Sequence, residues 1–196
     1  MSAVLGPLSE VGNLQSGYFV TGQAAGAGID RHQLQRLVSQ GLLEREGRGL
    51  YRIALFPENE RAELWRAVLW PLVQRNGARG VVSDGTALDL YAVSTINPPH
   101  VDITVPRQTR LRRERPPGIR VRYRNYGPAD VTTVEGLPVT TLYRTLLDLI
   151  MDGRELQFVD ESLERSVGTL TRAELRNLRA LRQLDSTVLN QVRTKQ

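Results

Sequence analysis

One stretch of sequence decides the fold of the first part of the chain: residues 30–53 read DRHQLQRLVSQGLLEREGRGLYRI. Leu34, Leu37 and Val38 stand at the i, i+3 and i+4 spacing that places side chains on one face of a helix. Asp30, just before them, is a residue type that caps helix N-termini well, because its carboxylate accepts hydrogen bonds from free backbone N–H groups. The pattern predicts a short amphipathic helix that begins after Asp30.

The residues that follow predict a β-hairpin. Gly41 ends the predicted helix, which covers residues 31–40. Residues 42–44 and 50–53 are short strand-like runs, and the connection 45–49 contains two glycines that permit the positive φ of a hairpin turn.

Two further helical signals precede this segment. Residues 5–14 carry a short apolar pattern interrupted by Gly12, and Thr21 is placed to cap a helix over residues 22–26. Helix, turn, helix and hairpin in this order predict a winged helix-turn-helix domain over residues 1–56.

The outward face of the helix after Asp30 has the chemistry of a DNA-reading surface. With the leucines inward, the step of about 100° per residue turns the polar side chains outward. These side chains are His32, Gln33, Arg36, Ser39 and Gln40, with Arg31 and Gln35 at the margins of the face. The face offers donors and acceptors for base edges and no carboxylate that would repel phosphate. We predict that it reads the major groove; a solvated polar face is the alternative.

Charge adds to this prediction. Arg45, Arg48 and Arg52 lie in the hairpin and are expected to contact phosphate or the minor groove. The chain has 26 Lys plus Arg against 21 Asp plus Glu, a net charge of +5, which favours a polyanionic partner. All of these cations except Lys195 are arginine. Arginine suits bidentate phosphate and guanine recognition, although GC-rich coding produces the same bias.

The remainder, residues 57–196, predicts an α+β domain with a small mixed or antiparallel sheet and C-terminal helices. No linker separates the two units, so the boundary within residues 54–62 is soft. The predicted elements are a helix over 58–74, a strand end or loop into a helix over 81–91, strands over 101–105 and 119–126, a hairpin over 131–139, and helices over 142–151, 155–166 and 172–184. Residues 107–117 are expected to be the least regular.

Two side-chain features accompany these elements. The C-terminal helix opens with Thr171 and Glu174 at capping-box spacing. Arg144 and Asp148 lie four residues apart on one helix, where we expect a buried or half-buried structural ion pair.

A dense arginine cluster follows the first strand of this domain. It consists of Arg107, Arg110, Arg112, Arg113, Arg115, Arg120, Arg122 and Arg124, with Glu114 as its only acid. Alternation over 119–126 places Arg120, Arg122 and Arg124 on one face of a strand. Nucleic-acid contact, an acidic protein partner and a solvated face are all compatible with such density. We expect Arg110, Arg112, Arg113 and the three strand arginines to extend the DNA contact or to shape DNA bending.

The sequence predicts no catalytic residue, metal or cofactor. Asp84, Asp89 and Asp102 are the only acids close enough to suggest a two-metal site, but Asp84 is, with Ser83, one of two candidate caps of the helix within 81–91, and Asp89 resembles an exposed helical residue. Two histidines, His32 and His100, are too few and too distant for a triad or a metal site. A degenerate nuclease-like enzyme stays as a less favoured alternative. Absence of cysteine and of an apolar run of about 18 residues predicts a cytoplasmic protein.

Three segments resemble the AbiEi family of antitoxins and transcriptional repressors from type IV toxin–antitoxin systems. They are the winged unit ending in LLER (42–45) and GLY (49–51), VSDGTALDLY (82–91) with VDITVP (101–106), and GLPVTT (136–141) with RTLLDL (144–149). The likeness covers residues 17–149. The last segment also occurs in proteins that append a nuclease-like domain to a similar winged unit. Here the carboxylate pair followed by a nearby lysine is missing.

The resemblance implies a function. Members of this family bind inverted repeats in their own promoter and counter a cognate nucleotidyltransferase-like toxin encoded beside them. Double-stranded operator DNA and such a toxin are therefore the expected partners, with the protein either monomeric in solution or pairing cooperatively on DNA. The alternative is a protein-interaction module that masks a toxin directly, with DNA binding secondary.

Overall fold

The computed structural model describes residues 2–57, 59–74 and 77–184, and its first part is a winged helix-turn-helix. The elements are helix α1 (Ser2–Leu14), strand β1 (Tyr18–Val20), helices α2 (Thr21–Gly26) and α3 (Arg31–Ser39), and strands β2 (Leu43–Gly47) and β3 (Leu50–Ile53). The strands form an antiparallel sheet in the order β1-β3-β2. The predicted hairpin and helices are confirmed. Strand β1 was missed because its three residues are all buried and show no alternation.

A compact apolar core holds α3 against the other helices and the sheet. Leu34 and Leu37 of α3 pack with Leu8, Phe19 and Tyr51. The rings of Phe19 and Tyr51 stack with centroids 5.8 Å apart. The inward stripe predicted from the spacing of the leucines is therefore confirmed, and it fixes which side of α3 faces outward.

Local capping explains where α3 begins and ends. Asp30 Oδ1 accepts a hydrogen bond from Gln33 N at 2.8 Å, and Gln33 Oε1 accepts one from Asp30 N at 2.8 Å, a reciprocal capping box. Gly41 follows the helix with φ +68°, as a C-terminal glycine does.

The predicted cap of α2 is wrong. Thr21 is the first residue inside this helix, and its hydroxyl donates to the main-chain oxygen of Gly49 at 3.3 Å. The oxygen of the Gln23 side chain instead accepts the hydrogen bond from Val20 N at 3.0 Å. Of the two hairpin glycines, only Gly49 has a positive φ, and β2 continues to Gly47 beyond the predicted strand.

The second part is a mixed sheet with helices. Its elements are α4 (Ala62–Leu69), a short 3-10 turn (Trp70–Val73), β4 (Val81–Val82), α5 (Asp84–Leu90), β5 (Val101–Pro106), β6 (Ile119–Arg124), a second 3-10 turn (Pro128–Asp130), β7 (Val131–Val134), β8 (Leu137–Thr140), α6 (Leu142–Asp152), α7 (Leu156–Arg165) and α8 (Arg172–Arg182). The sheet order is β6-β5-β4-β8-β7, with β5 parallel to β6. The α+β fold class is confirmed. The helix predicted over 58–74 is shorter, and residue 58 lies outside the described residues.

Helix α4 joins the two parts. Leu64 and Trp65 belong to one core with Tyr18 and Leu50 of the winged unit. The same core contains Ile103 of β5 and further residues of the mixed sheet. The division into units over residues 1–56 and 57–196 stays a prediction, and this shared core joins them physically.

Strand β5 is more deeply buried than its alternating pattern suggested. Asp102, Ile103, Thr104 and Val105 are all buried. Asp102 N donates a hydrogen bond to Thr86 Oγ1 at 2.9 Å, and Thr104 Oγ1 donates to the Ser83 hydroxyl at 2.9 Å. The alternation therefore separates an apolar face from a polar face that is also covered.

The C-terminal helices pack on a second apolar core. Leu146 and Leu149 of α6 contact Leu178 of α8 within this cluster. The Thr171–Glu174 capping box is confirmed, since Glu174 N donates to Thr171 Oγ1 at 3.2 Å and Thr171 N donates to the glutamate carboxylate at 2.8 Å.

Candidate nucleic-acid interface

The outward face of α3 presents the predicted polar side chains to solvent. Arg31, His32, Arg36 and Gln40 are exposed. Within the described residues, neither Arg31 nor Arg36 has an ion-pair partner. Arg36 on this face and Arg31 at its margin can therefore approach DNA without first leaving a carboxylate.

Two of the predicted reading residues already have partners within the helix. Gln33 is half-buried, and its side-chain oxygen accepts the capping-box hydrogen bond from Asp30 N. Ser39 is exposed, but its hydroxyl donates to the main-chain oxygen of Arg36 at 2.8 Å. Gln35, at the margin of the face, is exposed, and its side chain has no hydrogen bond among the described residues.

The hairpin between β2 and β3 forms the wing, and two of its arginines are exposed. Neither Arg45 nor Arg48 is in an ion pair within the described residues; Arg45 Nε makes only a 3.4 Å hydrogen bond to the main-chain oxygen of Gly47. The wing also contains two carboxylates, Glu44 and Glu46, which pair at 3.5 Å and 3.7 Å with arginines outside the turn. The free charge on the wing is therefore positive.

Arg52 is a correction to the predicted wing contacts. Its side chain is buried: Nη2 donates to the main-chain oxygen of Phe56 at 2.9 Å, and the guanidinium lies over the Tyr18 ring at 5.9 Å. Residues directly opposite each other in an antiparallel pair share one face of the sheet. Arg52 lies opposite the buried Tyr18 of β1, so its side chain is on the covered face. Arg52 supports the sheet and is not available to phosphate.

The irregular segment 107–117 brings further arginines to the wing. Arg110 and Arg112 are exposed, and Arg113 is half-buried. Gln74 is buried, and its side-chain oxygen accepts hydrogen bonds from Arg112 N at 2.7 Å and Arg113 N at 3.2 Å. Arg113 Nη1 donates to the main-chain oxygen of Arg48 at 2.8 Å. This segment, which we call the arginine loop, is thus held beside the wing.

The three strand arginines are not a free positive surface, contrary to the expectation. Arg120 binds the Asp102 carboxylate and, through Nη2, Glu155 Oε1 at 3.0 Å. Arg122 binds Asp84 at 3.3 Å, and Arg124 binds Asp84 at 2.7 Å. Alternation correctly placed the three on one face of β6, but that face meets the acids of the neighbouring elements.

The two buried acids of this network are structural in their contacts. Asp84 and Asp102 have fully buried side chains, and each faces an arginine. Of the two candidate caps of α5, Ser83 occupies the cap position, while Asp84 is the first helical residue, with φ +50°. Burial raises the pKa of Asp102 to about 6, since desolvation outweighs the hydrogen bond from Arg120.

The remaining candidates for metal or catalytic chemistry are dispersed. Asp89 is exposed, as predicted. Arg144 Nε and Asp148 Oδ1 form the predicted ion pair at 2.9 Å, and burial raises the pKa of that aspartate. Across residues 2–57, 59–74 and 77–184, no group of three or more His, Cys, Asp or Glu side chains could hold a metal ion.

None of the described helices is both long and apolar enough to cross a bilayer.

Comparison with solved structures supports the fold. The crystal structure of RV2827C protein from Mycobacterium tuberculosis matches with a TM-score of 0.53 and 14% sequence identity, over 90% of this chain and 71% of that one. Such a low identity carries information on fold alone. A comparison with curated proteins gives no match.

Two family models match the sequence, and they follow the two parts of the structure. One, described as a transcriptional regulator and AbiEi antitoxin, matches residues 14–54, which include α3 and the wing. The other, the AbiEi antitoxin C-terminal domain, matches residues 79–191, more than half of the chain. The protein is thus an antitoxin with a DNA-binding role, and the resemblance noted in the sequence is confirmed. The chain belongs to the AbiEi antitoxin family.

Proposed function

We propose that this protein binds inverted-repeat operator DNA in its own promoter, represses its operon, and counters a nucleotidyltransferase-like toxin of a type IV-like system. In this proposal residues 1–56 read the operator and residues 57–196 carry the antitoxin function, with the protein acting in the cytoplasm. One observation carries the DNA part: arginines with no ion-pair partner among the described residues lie on α3, the wing and the arginine loop, which adjoin one another.

These arginines divide into two roles. Arg31, Arg36, His32 and Gln40 would reach base edges from α3, since arginine pairs with guanine and glutamine with adenine. Ser39 would contribute only by giving up its helix hydrogen bond. Arg45 and Arg48 of the wing would hold phosphate and fix the register of the protein on the duplex.

The arginine loop would extend this contact beyond the winged unit. Arg110, Arg112 and Arg113 replace the strand arginines in this role, because Arg120, Arg122 and Arg124 are neutralised by buried acids. A loop hydrogen-bonded to the wing can place its charge on the same DNA backbone. Two such protein molecules, either as monomers or pairing cooperatively, would occupy the two half-sites of an inverted repeat.

A reporter experiment tests the repression. The upstream region of the gene is fused to a reporter and the protein is supplied from a second plasmid. Wild type should lower reporter output, while Arg31→Ala with Arg36→Ala should restore most of it. Arg176→Ala is the matched control, since Arg176 is exposed on α8 far along the chain from α3. Equal output with and without the wild-type protein would reject autorepression.

A second candidate function is direct masking of the toxin, and a specific surface of α8 favours it. Arg172, Arg176 and Arg179 recur at i, i+4 and i+7, are exposed, and have no ion-pair partner among the described residues. Leu175 and Leu178 on the other side of α8 are buried. A row of unpaired arginines fits an acidic protein surface.

Charge reversal on α8 tests this candidate better than truncation. Deleting residues 1–56 would remove Tyr18 and Leu50 from the core that they share with α4, so loss of function would be ambiguous. Direct masking predicts that the product of the neighbouring gene co-purifies with wild type and that Arg176→Glu with Arg179→Glu abolishes both co-purification and growth rescue. Rescue that survives this double change, without co-purification, would favour antitoxicity through repression or reversal of a modification.

A further inference from the structure

A cleft opens between the reading helix, the wing and the segment that connects the two parts of the chain. Its volume is about 770 Å³, within the roughly 300–1,000 Å³ of small-molecule sites in proteins. Four arginines line it: Arg31 from α3, Arg45 and Arg48 from the wing, and Arg113 from the arginine loop. Segments that are far apart in sequence therefore direct four positive charges toward one concave space.

Among the described residues, the lining of the cleft contains no carboxylate. Of the acids nearest in sequence, Asp30 caps α3, Glu44 pairs with Arg52 and Glu46 pairs with Arg66, while Glu114, next to Arg113, does not line the cleft. Like charges gathered in a cavity with low-dielectric walls repel one another and attract anions strongly. The cleft is therefore suited to a ligand with more than one negative charge.

Part of the lining is apolar, and we call this part the floor of the cleft. Val38 of α3 and Leu72 and Val73 of the 3-10 turn line it, and all three remain partly exposed. A simple inorganic anion would leave this apolar surface in water. An anion that also carries a flat, apolar ring would cover it, and an arginine guanidinium can stack on such a ring.

We infer that this cleft binds a soluble nucleotide, that is, a ligand with a heteroaromatic ring and a multiply charged phosphate chain. The phosphates contact the arginines and the ring covers the floor formed by Val38, Leu72 and Val73. Because Arg31, Arg45 and Arg48 are also the proposed DNA contacts, a bound nucleotide competes with operator DNA. This regulatory step rests on the proposed function, whereas nucleotide binding itself does not.

Isothermal titration calorimetry without DNA tests the binding. The probes are ATP, GTP, inorganic tripolyphosphate and adenosine, each at the same ionic strength. At least one nucleotide should bind at least tenfold more tightly than tripolyphosphate or adenosine, because only the nucleotide engages both the arginines and the floor. Binding of tripolyphosphate as tight as that of ATP and GTP would show general anion attraction only, and would overturn the inference.

Two variants locate the site. Leu72→Trp fills the cleft without changing charge, and Arg31→Gln removes one wall charge at an exposed position where the fold is not at risk. Both should weaken nucleotide binding at least tenfold, whereas Leu55→Trp should leave it unchanged, since Leu55 is 88% exposed and does not line the cleft. Unchanged nucleotide binding in Arg31→Gln and in a folded Leu72→Trp protein would overturn the assignment of the binding site to this cleft.

Competition on DNA tests the regulatory step. The labelled upstream duplex is titrated by fluorescence anisotropy with the nucleotide at saturation, and with tripolyphosphate as the charge-matched control. The nucleotide should raise the apparent Kd for the duplex at least tenfold, and more than tripolyphosphate does. A duplex that does not bind at all would reject the proposed function. The calorimetry would then still decide whether the cleft binds a nucleotide. A duplex that binds equally well with nucleotide present would overturn the competition.

Discussion

Arg113 and Arg48 are joined by a hydrogen bond from the Arg113 Nη1 to the main-chain oxygen of Arg48, 2.8 Å long and spanning 65 positions of the sequence. It ties the arginine loop to the turn of the wing. Gln74 holds the other side of the loop through two backbone N–H groups. The position of the wing is therefore set partly by the second part of the chain, which gives that part a route to influence DNA binding.

Arg113→Ala should weaken binding to the upstream duplex about three- to tenfold. It should also reduce the slope of log affinity against log salt concentration by the contribution of about one phosphate contact. The change removes one guanidinium and the hydrogen bond to the wing. Fluorescence anisotropy over a salt series measures both effects, with Arg172→Ala on α8 as control. An unchanged affinity and slope would remove the arginine loop from the interface.

Arg36→Ala should cost about 1–3 kcal/mol on the cognate duplex if Arg36 pairs a guanine, and it should change the preferred base at that position. The reason is that a bidentate contact to a base edge carries sequence information, whereas a phosphate contact does not. Affinity is measured against duplexes with single base changes. Equal loss on every sequence would identify Arg36 as a phosphate contact.

Arg52→Ala should lower the free energy of unfolding by about 1–3 kcal/mol, because it leaves the part-buried main-chain oxygen of Phe56 without its donor and uncovers the Tyr18 ring. Urea unfolding measures the change. Arg45→Ala is the matched control from the neighbouring strand and should leave stability nearly unchanged, since Arg45 is exposed. A stable Arg52→Ala protein with reduced DNA affinity would return Arg52 to the interface.

Asp84→Ala should destabilise the fold by about 3–5 kcal/mol, since it strips two arginines of a fully buried carboxylate. Asp89→Ala on the same helix is the control, because Asp89 is exposed. Thermal unfolding should give a lower melting temperature for Asp84→Ala than for Asp89→Ala. Similar melting temperatures would contradict a structural role for the network.

The pH dependence of stability should show the buried carboxyl of Asp102. Its pKa is raised from 3.8 to about 6 in the folded protein, so between these values the folded state holds a proton that the unfolded state releases. This contribution is fully present below the unfolded pKa and is lost as pH rises through about 6. The free energy of unfolding of wild type relative to Asp102→Asn should therefore rise as pH falls from 7.5 to 5. A difference that stays constant or falls over this range would contradict the raised pKa.

Features set by local sequence could be predicted well. The stripe of Leu34 and Leu37, the Asp30 cap and Gly41 placed α3 correctly, because capping and helical periodicity act within one turn. Strand β1 was beyond such reasoning, since Tyr18–Val20 is buried by pairing with a strand more than 30 residues later.

In the candidate site, too, features set by local sequence were predicted and features set by distant contacts were not. The exposed arginines of α3 and the wing turn were predicted from short-range pattern. Arg52 and Arg124 were misassigned, because whether an arginine faces water or a buried acid depends on which distant element packs against it. Asp84, for example, lies 40 positions from Arg124 in the sequence. The alternation along β6 fixed the shared face correctly but carried no information on what covers that face.

The most direct measurement of the central claim is the affinity of the purified protein for its own upstream region and for an unrelated duplex of equal length, at two salt concentrations. We expect the upstream duplex to bind at least 100-fold more tightly than the unrelated one, a modest value for operator-specific proteins, with both affinities falling as salt rises. Equal affinity for the two duplexes, or no binding to either, would contradict operator recognition by α3.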